Sequence, residues 1–438
     1  MKKPLQVWQS MQKAALLAAD SRQAVRRGLS QEGERLLTLK GRLFLLAVGK
    51  AAAAMASAAE EALGGSIESG LAVTKYGHGV KGLRRTYVLE SGHPRPDEAG
   101  LRASRQAGAF LRDNQLGQED LLLLLLSGGG SALLPAPAEG LSLKEKSQAI
   151  DLLMTRGADI HQLNAVRKHL SRVKGGRLLD DCSQCQVLAL LISDVVGDDL
   201  TSIASGPAVP DPTTYGDCLS IIGSHGLNEQ MPPMVMSILE EGAKGLRKET
   251  PKPGDPRFQR VTSRIVADNR RSLEAAAEAA RAAGYRPLIL TSTLDGDTAQ
   301  AARFHVAVAR EVLESANPAE APCCILSGGE TTVKVSGDGR GGRNQEFALW
   351  CAHYAGGLNR EVLFVSLGTD GTDGPTDAAG AWSFPSTCAQ ARERGLDCGA
   401  YLRRNDSYRF FKQLDQLIVT GPTQTNVMDV RAVLVPPS

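Results

Sequence analysis

A run of six leucines leads into SGGGS, the five residues Ser127, Gly128, Gly129, Gly130 and Ser131. Three glycines let a backbone turn tightly and approach a ligand closely. Successive N–H groups at the start of a helix can bind an anion. A plain strand-to-helix turn is the alternative, although it does not need three glycines. The stretch predicts contact with a phosphate or carboxylate.

Two stretches place cations among small residues. Lys50 lies between an apolar run and an alanine-rich segment, and Arg340 and Arg343 lie in GDGRGGRNQE beside Asn344. A planar guanidinium suits phosphate or carboxylate, and an ammonium acts as a point charge. Glu330 ends the apolar run before the arginines. A solvated lysine and a flexible basic loop are the alternatives.

Acidic residues follow two other apolar runs. Asp194 and Asp198 lie in SDVVGDD, and Asp370 and Asp373 lie in GTDGTDG. Magnesium takes one or two carboxylates together with phosphate oxygens and water. A polar turn or a helix cap, for instance at Asp199, is the alternative. A calcium loop is excluded because its closing glutamate is missing.

Two further stretches are candidates for substrate contact. His93 stands between glycine and proline in ESGHPRP, although a lone histidine is more often structural. Asn164, Arg167 and Lys168 lie in a basic segment that predicts a helix, LNAVRKHLSRVKGG. That face could line a site or be solvated.

The sequence lacks the motifs of several other classes of enzyme. The sequence contains no GxxxxGK[ST] phosphate loop and no GxSxG nucleophile elbow. Residues 337–342 match GxGxxG, with Glu361 downstream. We reject this dinucleotide fingerprint because the preceding TTVKV alternates, whereas a fingerprint follows a fully buried strand.

Composition narrows the class of protein. Fifty lysine and arginine residues nearly balance 48 aspartate and glutamate residues, and aromatic residues make up 4%. These values favour neither nucleic acid nor a membrane surface as a partner. The eight cysteines are scattered without zinc-site spacing, which predicts reduced thiols and a cytoplasmic protein. The N-terminus predicts an amphipathic helix rather than a secretion signal.

The elements that must position these residues alternate between short apolar strands and alanine-rich helices. This alternation predicts α/β architecture with a mostly parallel sheet, whose ligands are met at the carboxyl ends of strands. RKETPKPGDPRFQR (residues 247–260) predicts a linker. We therefore expect two α/β domains, residues 1–250 and 257–438, the first a Rossmann-like sheet between helices. ETTVKVSG predicts a half-exposed strand in the second domain.

Eight motifs in order, from VGKAAAAMA through SGHPRPDEAG and GRGGRNQEFAL to TGPTQTNVMD, resemble the class II glycerate 2-kinases that end in a MOFRL domain. The resemblance implies phosphorylation of D-glycerate to 2-phosphoglycerate with ATP and Mg²⁺. It also implies an active site in the cleft between two α/β domains. Lys50 and Arg343 match the lysine and arginine regarded as critical in that family.

The expected mechanism is phosphoryl transfer, which depends on positioning and charge neutralisation. We expect Lys50 and Arg343 to neutralise the phosphoryl and the carboxylate, and Asp194 to orient the 2-hydroxyl. The expected nucleotide contacts are Ser127, Gly128, Gly129, Gly130, Ser131, Glu330 and Asn344, and the expected metal ligands are Asp198, Asp370 and Asp373. The rival hypotheses are a nicotinamide-dependent hydroxypyruvate reductase and a non-catalytic binding protein. The sequence leaves monomer and homodimer open.

Overall fold

The computed structural model describes residues 3–182 and 184–437. The chain forms two compact units. We call Ala24–Ser193 with Asp198–Val266 the parallel-sheet unit. We call Met1–Gln23, Asp194–Gly197 and Ala267–Ser438 the mixed-sheet unit. Among the described residues, every helix falls short of the length or apolarity needed to cross a bilayer.

The strands are β1 Leu43–Val48, β2 Ile67–Lys75, β3 Thr86–Ser91, β4 Leu121–Leu126, β5 Gln186–Ile192, β6 Val261–Ala267, β7 Arg286–Leu294, β8 Cys323–Gly329, β9 Leu363–Gly368, β10 Gly380–Ser383, β11 Leu417–Ile418 and β12 Asp429–Val435. The helices are α1 Pro4–Ala19, α2 Ser21–Gln31, α3 Gly33–Leu37, α4 Ala52–Leu63, α5 Glu98–Asp113, α6 Gly130–Leu133, α7 Leu143–Thr155, α8 Ile160–His169, α9 Tyr215–Ser224, α10 Pro233–Ala243, α11 Asn269–Ala282, α12 Thr298–Ser315, α13 Arg343–Tyr354, α14 Thr387–Glu393, α15 Cys398–Arg403 and α16 Ser407–Leu414.

The parallel-sheet unit is built on a sheet of order β3-β2-β1-β4-β5-β6. The pairings of β1 with β2 and β4, of β2 with β3 and of β4 with β5 are parallel. Every residue of β1 and of the leucine strand β4 is buried. Strands covered on both faces read as continuous apolar runs, which explains the six leucines.

A helical layer in the same unit carries several of the candidate residues. Helices α7, α8, α9 and α10 share an apolar cluster of their own, which includes Ile150, Leu163, Ile222 and Leu239. Helix α7 begins with a capping box, in which Ser142 and Glu145 bond each other's backbone N–H groups. These four helices therefore have an apolar core of their own, apart from the sheet, and the cap fixes the residue at which α7 begins.

The mixed-sheet unit has a sheet of order β11-β10-β9-β12-β8-β7. Only β7 and β8 pair in parallel among its described strand pairs, and β12 runs antiparallel to β8 and β9. Helix α1 packs here: Trp8 and Met11 are buried in one cluster with Leu273 of α11 and Leu434 of β12. The amphipathic N-terminus therefore completes the core of this unit.

The predicted α/β class with two sheet-containing regions is confirmed. The predicted domain limits, 1–250 and 257–438, differ from the compact units in two places: at the N-terminus and at the boundary between the predicted domains. Strand β6 joins the first sheet instead of starting the second, and the N-terminal helix joins the mixed-sheet unit. Sequence order could not reveal this, because both segments meet their cores only through long-range packing.

Two local predictions are wrong. ETTVKVSG forms no strand: Thr332 makes an isolated bridge to Asp297, and residues 333–336 are irregular. Reduced thiols were expected throughout, but Cys388 and Cys398 form a disulfide. The other six cysteines are free and buried, which fits small apolar core residues.

Candidate active site

The loops that follow β1 and β4 are bonded to each other. The backbone N–H of Lys50 donates to the carbonyl of Gly128 at 2.8 Å, and that of Ala51 donates to Ser127 Oγ at 3.1 Å. Gly49 adopts a φ of +136°, and a Cβ there would meet Ser127 Oγ at 2.2 Å. Ser127 is 2% exposed, so its side chain positions the Lys50 loop and the structure does not support its predicted contact with nucleotide.

Gly129 of the SGGGS loop lies against the side chains of two other candidate residues. Its φ is +83°, and a Cβ there would lie 2.8 Å from the ring of His93 and 3.1 Å from Lys50 Cγ. A side chain at this position would be strained and would clash with both. Burial, followed by the charge of Lys50, lowers the pKa of His93 to about 4, so this imidazole is neutral near pH 7. The structure therefore gathers Lys50, His93 and the glycine loop.

A cavity of about 650 Å³ opens beside this loop within the parallel-sheet unit. The SGGGS loop contributes Gly129 and Ser131 to its wall. The ionisable groups of the wall are His93, Arg95, Lys146, Asp151, Arg167 and Lys174. Five of these six groups are basic, so we call this space the cationic cavity.

Two lysines of the cationic cavity are almost fully buried. Lys146 donates to the carbonyl of Pro135 at 2.7 Å, and Lys174 donates to that of Ser131 at 2.9 Å. Burial, followed by the charge of Arg167, lowers the pKa of Lys174 to about 7. Burial and the neighbouring cations also lower the pKa of Lys146. Sequence reasoning missed both lysines, because neither stands in a motif.

Arg343 begins α13 in the mixed-sheet unit and is anchored by acids. Its Nε and Nη2 donate to the two oxygens of Asp429 at 2.7 and 3.0 Å, and its Nη1 lies 2.8 Å from Glu330. Burial alone would lower the pKa of Arg343, but the charge and hydrogen bonds of Asp429 raise it. Since a guanidinium carries five N–H groups, two remain for a ligand. Glu330, predicted to contact nucleotide, instead pairs with this arginine.

Asp373 and Asn344 have structural roles instead of their predicted roles. Asp373 is 3% exposed, and its two oxygens accept from the backbone N–H groups of Asn344 and Gln345 at 3.0 and 2.8 Å. Both side-chain amides add further bonds to it. Burial raises the pKa of Asp373 to about 6. Asp373 thus caps the first turn of α13 and has no oxygen lone pair directed at a metal.

Asn344, an expected nucleotide contact, is completely buried, and its polar atoms bond other side chains. Its Nδ2 donates to Asp429 at 2.9 Å and to Asp373 at 3.3 Å, and its Oδ1 accepts from Ser366. The side chain therefore connects two buried carboxylates. This network fixes where Arg343 can point.

Asp429 and Arg431, on β12, were not singled out from the sequence. Both are 0% exposed, and Arg431 Nη2 donates to Asp429 at 2.8 Å and to Thr331 at 3.0 Å. The overlooked signal is an acid and an arginine at alternate positions of the otherwise apolar DVRAVLV. Buried charges of this kind are paired, and they mark networks that define a site.

The remaining acidic candidates lie in different units. Asp194 belongs to the mixed-sheet unit, where Asn426 Nδ2 lies 3.4 Å from its Oδ2, and Asp198 belongs to the parallel-sheet unit. Asp370 accepts from the backbone N–H and the hydroxyl of Thr372 through Oδ1. Within residues 3–182 and 184–437, no three His, Cys, Asp or Glu side chains are grouped to hold a metal ion.

The fold is that of an α/β protein with two sheet-containing units. Each unit carries basic side chains that can bind an anion: the cationic cavity in one and Arg343 in the other. The family model described as "Domain of unknown function (DUF4147)" matches residues 7–240, and the MOFRL family model matches residues 323–429. The chain belongs to the glycerate kinase family whose members carry a C-terminal MOFRL domain.

Named relatives cover almost the whole chain. A glycerate 2-kinase of Pyrococcus horikoshii is 41% identical over 95% of this chain and 94% of its own length. The solved structure of a glycerate kinase from Thermotoga maritima superposes with a TM-score of 0.88 at 39% identity, covering 98% of this chain and 99% of that chain. A protein of Agrobacterium vitis, provisionally named a hydroxypyruvate reductase, is 40% identical over 96% of this chain and 92% of its own length.

Proposed function

We propose that the protein is a glycerate 2-kinase, which transfers the terminal phosphoryl group of ATP to the 2-hydroxyl of D-glycerate. The observation that carries this proposal is the cationic cavity beside the glycine loop and Lys50. Positive groups around a glycine loop suit a polyphosphate, and phosphoryl transfer depends on such charge neutralisation. The names of the relatives supply the acceptor, D-glycerate.

Lys50 and Arg343 are proposed as the catalytic cations. The backbone of Lys50 is bonded to the glycine loop, and its Cγ lies next to Gly129, so its ammonium is within reach of a phosphate bound there. Arg343 offers two N–H groups while Asp429 fixes its plane. One cation neutralises the phosphoryl and the other the carboxylate of glycerate. Asp194 is proposed to orient the 2-hydroxyl for in-line attack.

Magnesium is proposed as the companion of ATP, where it would neutralise phosphate charge. Asp373 does not fit as its ligand, because four N–H donors already occupy its oxygens. Asp370 fits, because its Oδ2 accepts no hydrogen bond from the described residues. Asp198 remains a proposed ligand. A metal brought by the nucleotide needs only one or two such carboxylates.

The reductase hypothesis finds less support. The GxGxxG match at residues 337–342 precedes α13, but the irregular residues 333–336 stand where a buried strand would have to be. Two assays separate the hypotheses: D-glycerate with MgATP, and hydroxypyruvate with NADH. We expect ADP formation that depends on glycerate and no oxidation of NADH. NADH oxidation without ATP consumption would establish the reductase instead.

The setting of the enzyme is also proposed. Its substrates are small molecules, its balanced charge favours no nucleic acid or membrane partner, and most of its cysteines are free thiols. We propose a cytoplasmic monomer or homodimer. Size-exclusion chromatography with light scattering distinguishes the two assemblies.

A further inference from the structure

The geometry points to the cationic cavity as the ATP site, with the polyphosphate chain held by Arg167, Lys174 and Lys146 and the base lying along α7. This assignment goes beyond the glycine loop, and it rests on the proposed function only for the choice of ATP as the polyphosphate.

The basic side chains of the cavity favour a ligand with several negative charges. Lys146 and Lys174 are 6% and 2% exposed, and each donates to backbone carbonyls. No carboxylate lies within ion-pair distance of Lys146, Arg167 or Lys174 among the described residues. Burial lowers the pKa of both lysines, and a ligand with several negative charges would favour their protonated forms. A monocarboxylate such as glycerate brings one charge, whereas a triphosphate brings three or four.

A series of hydrogen bonds connects Arg167, which lines the cavity, to the glycine loop. The Oδ1 of Asn164 accepts from Arg167 Nη1 at 3.4 Å and from Ser205 Oγ at 3.3 Å. Ser205 in turn lies 3.1 Å from Ser131 Oγ, which belongs to the glycine loop. The guanidinium of Arg167 is therefore tied to the same loop that the phosphates would contact.

Helix α7 supplies a wall that changes from polar to apolar. Lys146, Ile150 and Met154 all line the cavity and recur at intervals of four residues, which places them on one helix face. The rise of a helix separates the first from the last by about 12 Å. Met154 is 53% exposed, so its side chain can contact a ligand in the cavity. A phosphate chain near Lys146 would leave the base over Ile150 and Met154.

Size also favours a nucleotide. At about 650 Å³ the cavity lies within the range of sites that enclose drug-sized or cofactor-sized ligands. Glycerate has seven heavy atoms and would leave most of this space filled with water. A whole nucleotide uses both the cationic part and the apolar part.

The test is calorimetric titration of the full chain with AMP-PNP and magnesium, in the absence of glycerate. Arg167→Leu should weaken binding at least about tenfold, because a charge-assisted hydrogen bond is lost. Arg167→Lys should restore part of the affinity. Arg156→Leu is the matched control, since Arg156 bonds Gln230 and does not line the cavity. Lys174→Met should weaken binding similarly, with thermal melting to check that it folds.

Two further readouts distinguish a binding role from a structural one. Met154→Asp should weaken AMP and AMP-PNP alike, whereas Arg167→Leu should affect AMP-PNP far more than AMP. Binding should also take up protons, more at about pH 8 than at about pH 6, because Lys174, with a pKa of about 7, becomes charged beside phosphate. Comparing buffers of different ionisation enthalpy measures this uptake.

The assignment is overturned if Arg167→Leu binds AMP-PNP like the wild type, or if it raises only the KM for glycerate. The second result would make the cavity the acid-substrate site while leaving the kinase activity in place. Failure of the proposed function looks different: the wild-type chain would form no phosphoglycerate, whatever its affinity for AMP-PNP.

Discussion

The two units both bury positive charge, but they compensate it differently. In the mixed-sheet unit, Arg343 and Arg431 share the carboxylate of Asp429 before any ligand arrives. In the parallel-sheet unit, Lys146 and Lys174 bond only backbone carbonyls among the residues that the structure describes. The first arrangement is a preorganised scaffold that aims one arginine, and the second is a site whose charge a ligand completes.

Removing the shared carboxylate should have the largest effect. Asp429→Ala leaves Arg431 buried without its acid, and breaking a buried pair in this way costs about 3–5 kcal/mol. Urea unfolding measures the change. Asp338→Ala is the control, because its bond to Arg404 is exposed to solvent and should contribute little to stability. If both variants lowered the free energy of unfolding equally, the buried network would contribute no more to stability than an exposed ion pair.

Lys50→Ala should reduce turnover and spare the fold. Loss of a charge that stabilises the transition state costs about 10²–10³-fold in kcat. The loop itself is held by backbone bonds, which the substitution keeps. Steady-state kinetics and a thermal melt measure the two effects, with the exposed Lys81→Ala as control. Near-normal kcat in Lys50→Ala would remove this lysine from the mechanism.

Glu346, in the first turn of α13, gives the mixed-sheet unit a pH dependence. Burial raises the pKa of Glu346 to about 7, above the 4.5 of an ordinary glutamate, although a bond from Asn405 opposes the rise. The folded chain thus holds this proton more tightly than the unfolded chain, and stability falls as pH rises from about 4.5 to about 7. Glu346→Gln should reduce this loss, leaving the part that arises from Asp373, and should raise stability above pH 7 by about 1–3 kcal/mol.

Urea unfolding at about pH 5 and about pH 8 measures the effect. The exposed Glu393→Gln is the matched control and should leave the pH dependence unchanged. A Glu346→Gln variant that follows the wild-type pH profile would contradict the assigned pKa.

Arg340 should matter least, although its sequence setting is nearly that of Arg343. Its guanidinium donates to the carbonyl of Pro375 and lies 5.3 Å from the ring of Tyr408. Arg340→Ala should cost about 0.5–1 kcal/mol of stability and leave kcat unchanged. A large fall in kcat would mean that the two arginines had been assigned the wrong way round.

The sequence predicted those features that local pattern determines. Apolar runs and glycines predicted the leucine strand β4 and the glycine loop that follows it. The same kind of pattern placed Lys50 just after strand β1. Asp373 was misassigned because an aspartate among glycines resembles a metal ligand, whereas the fold uses it to cap α13. Lys146 and Lys174 escaped notice because their burial arises from tertiary packing. Strand β6 and helix α1 were misplaced for the same reason.

The central claim, phosphoryl transfer from ATP to the 2-hydroxyl of D-glycerate, is tested most directly by phosphorus NMR of the reaction products. We expect 2-phosphoglycerate, formed in equal amount with ADP. Formation of 3-phosphoglycerate, or the absence of any phosphate ester of glycerate, would contradict it.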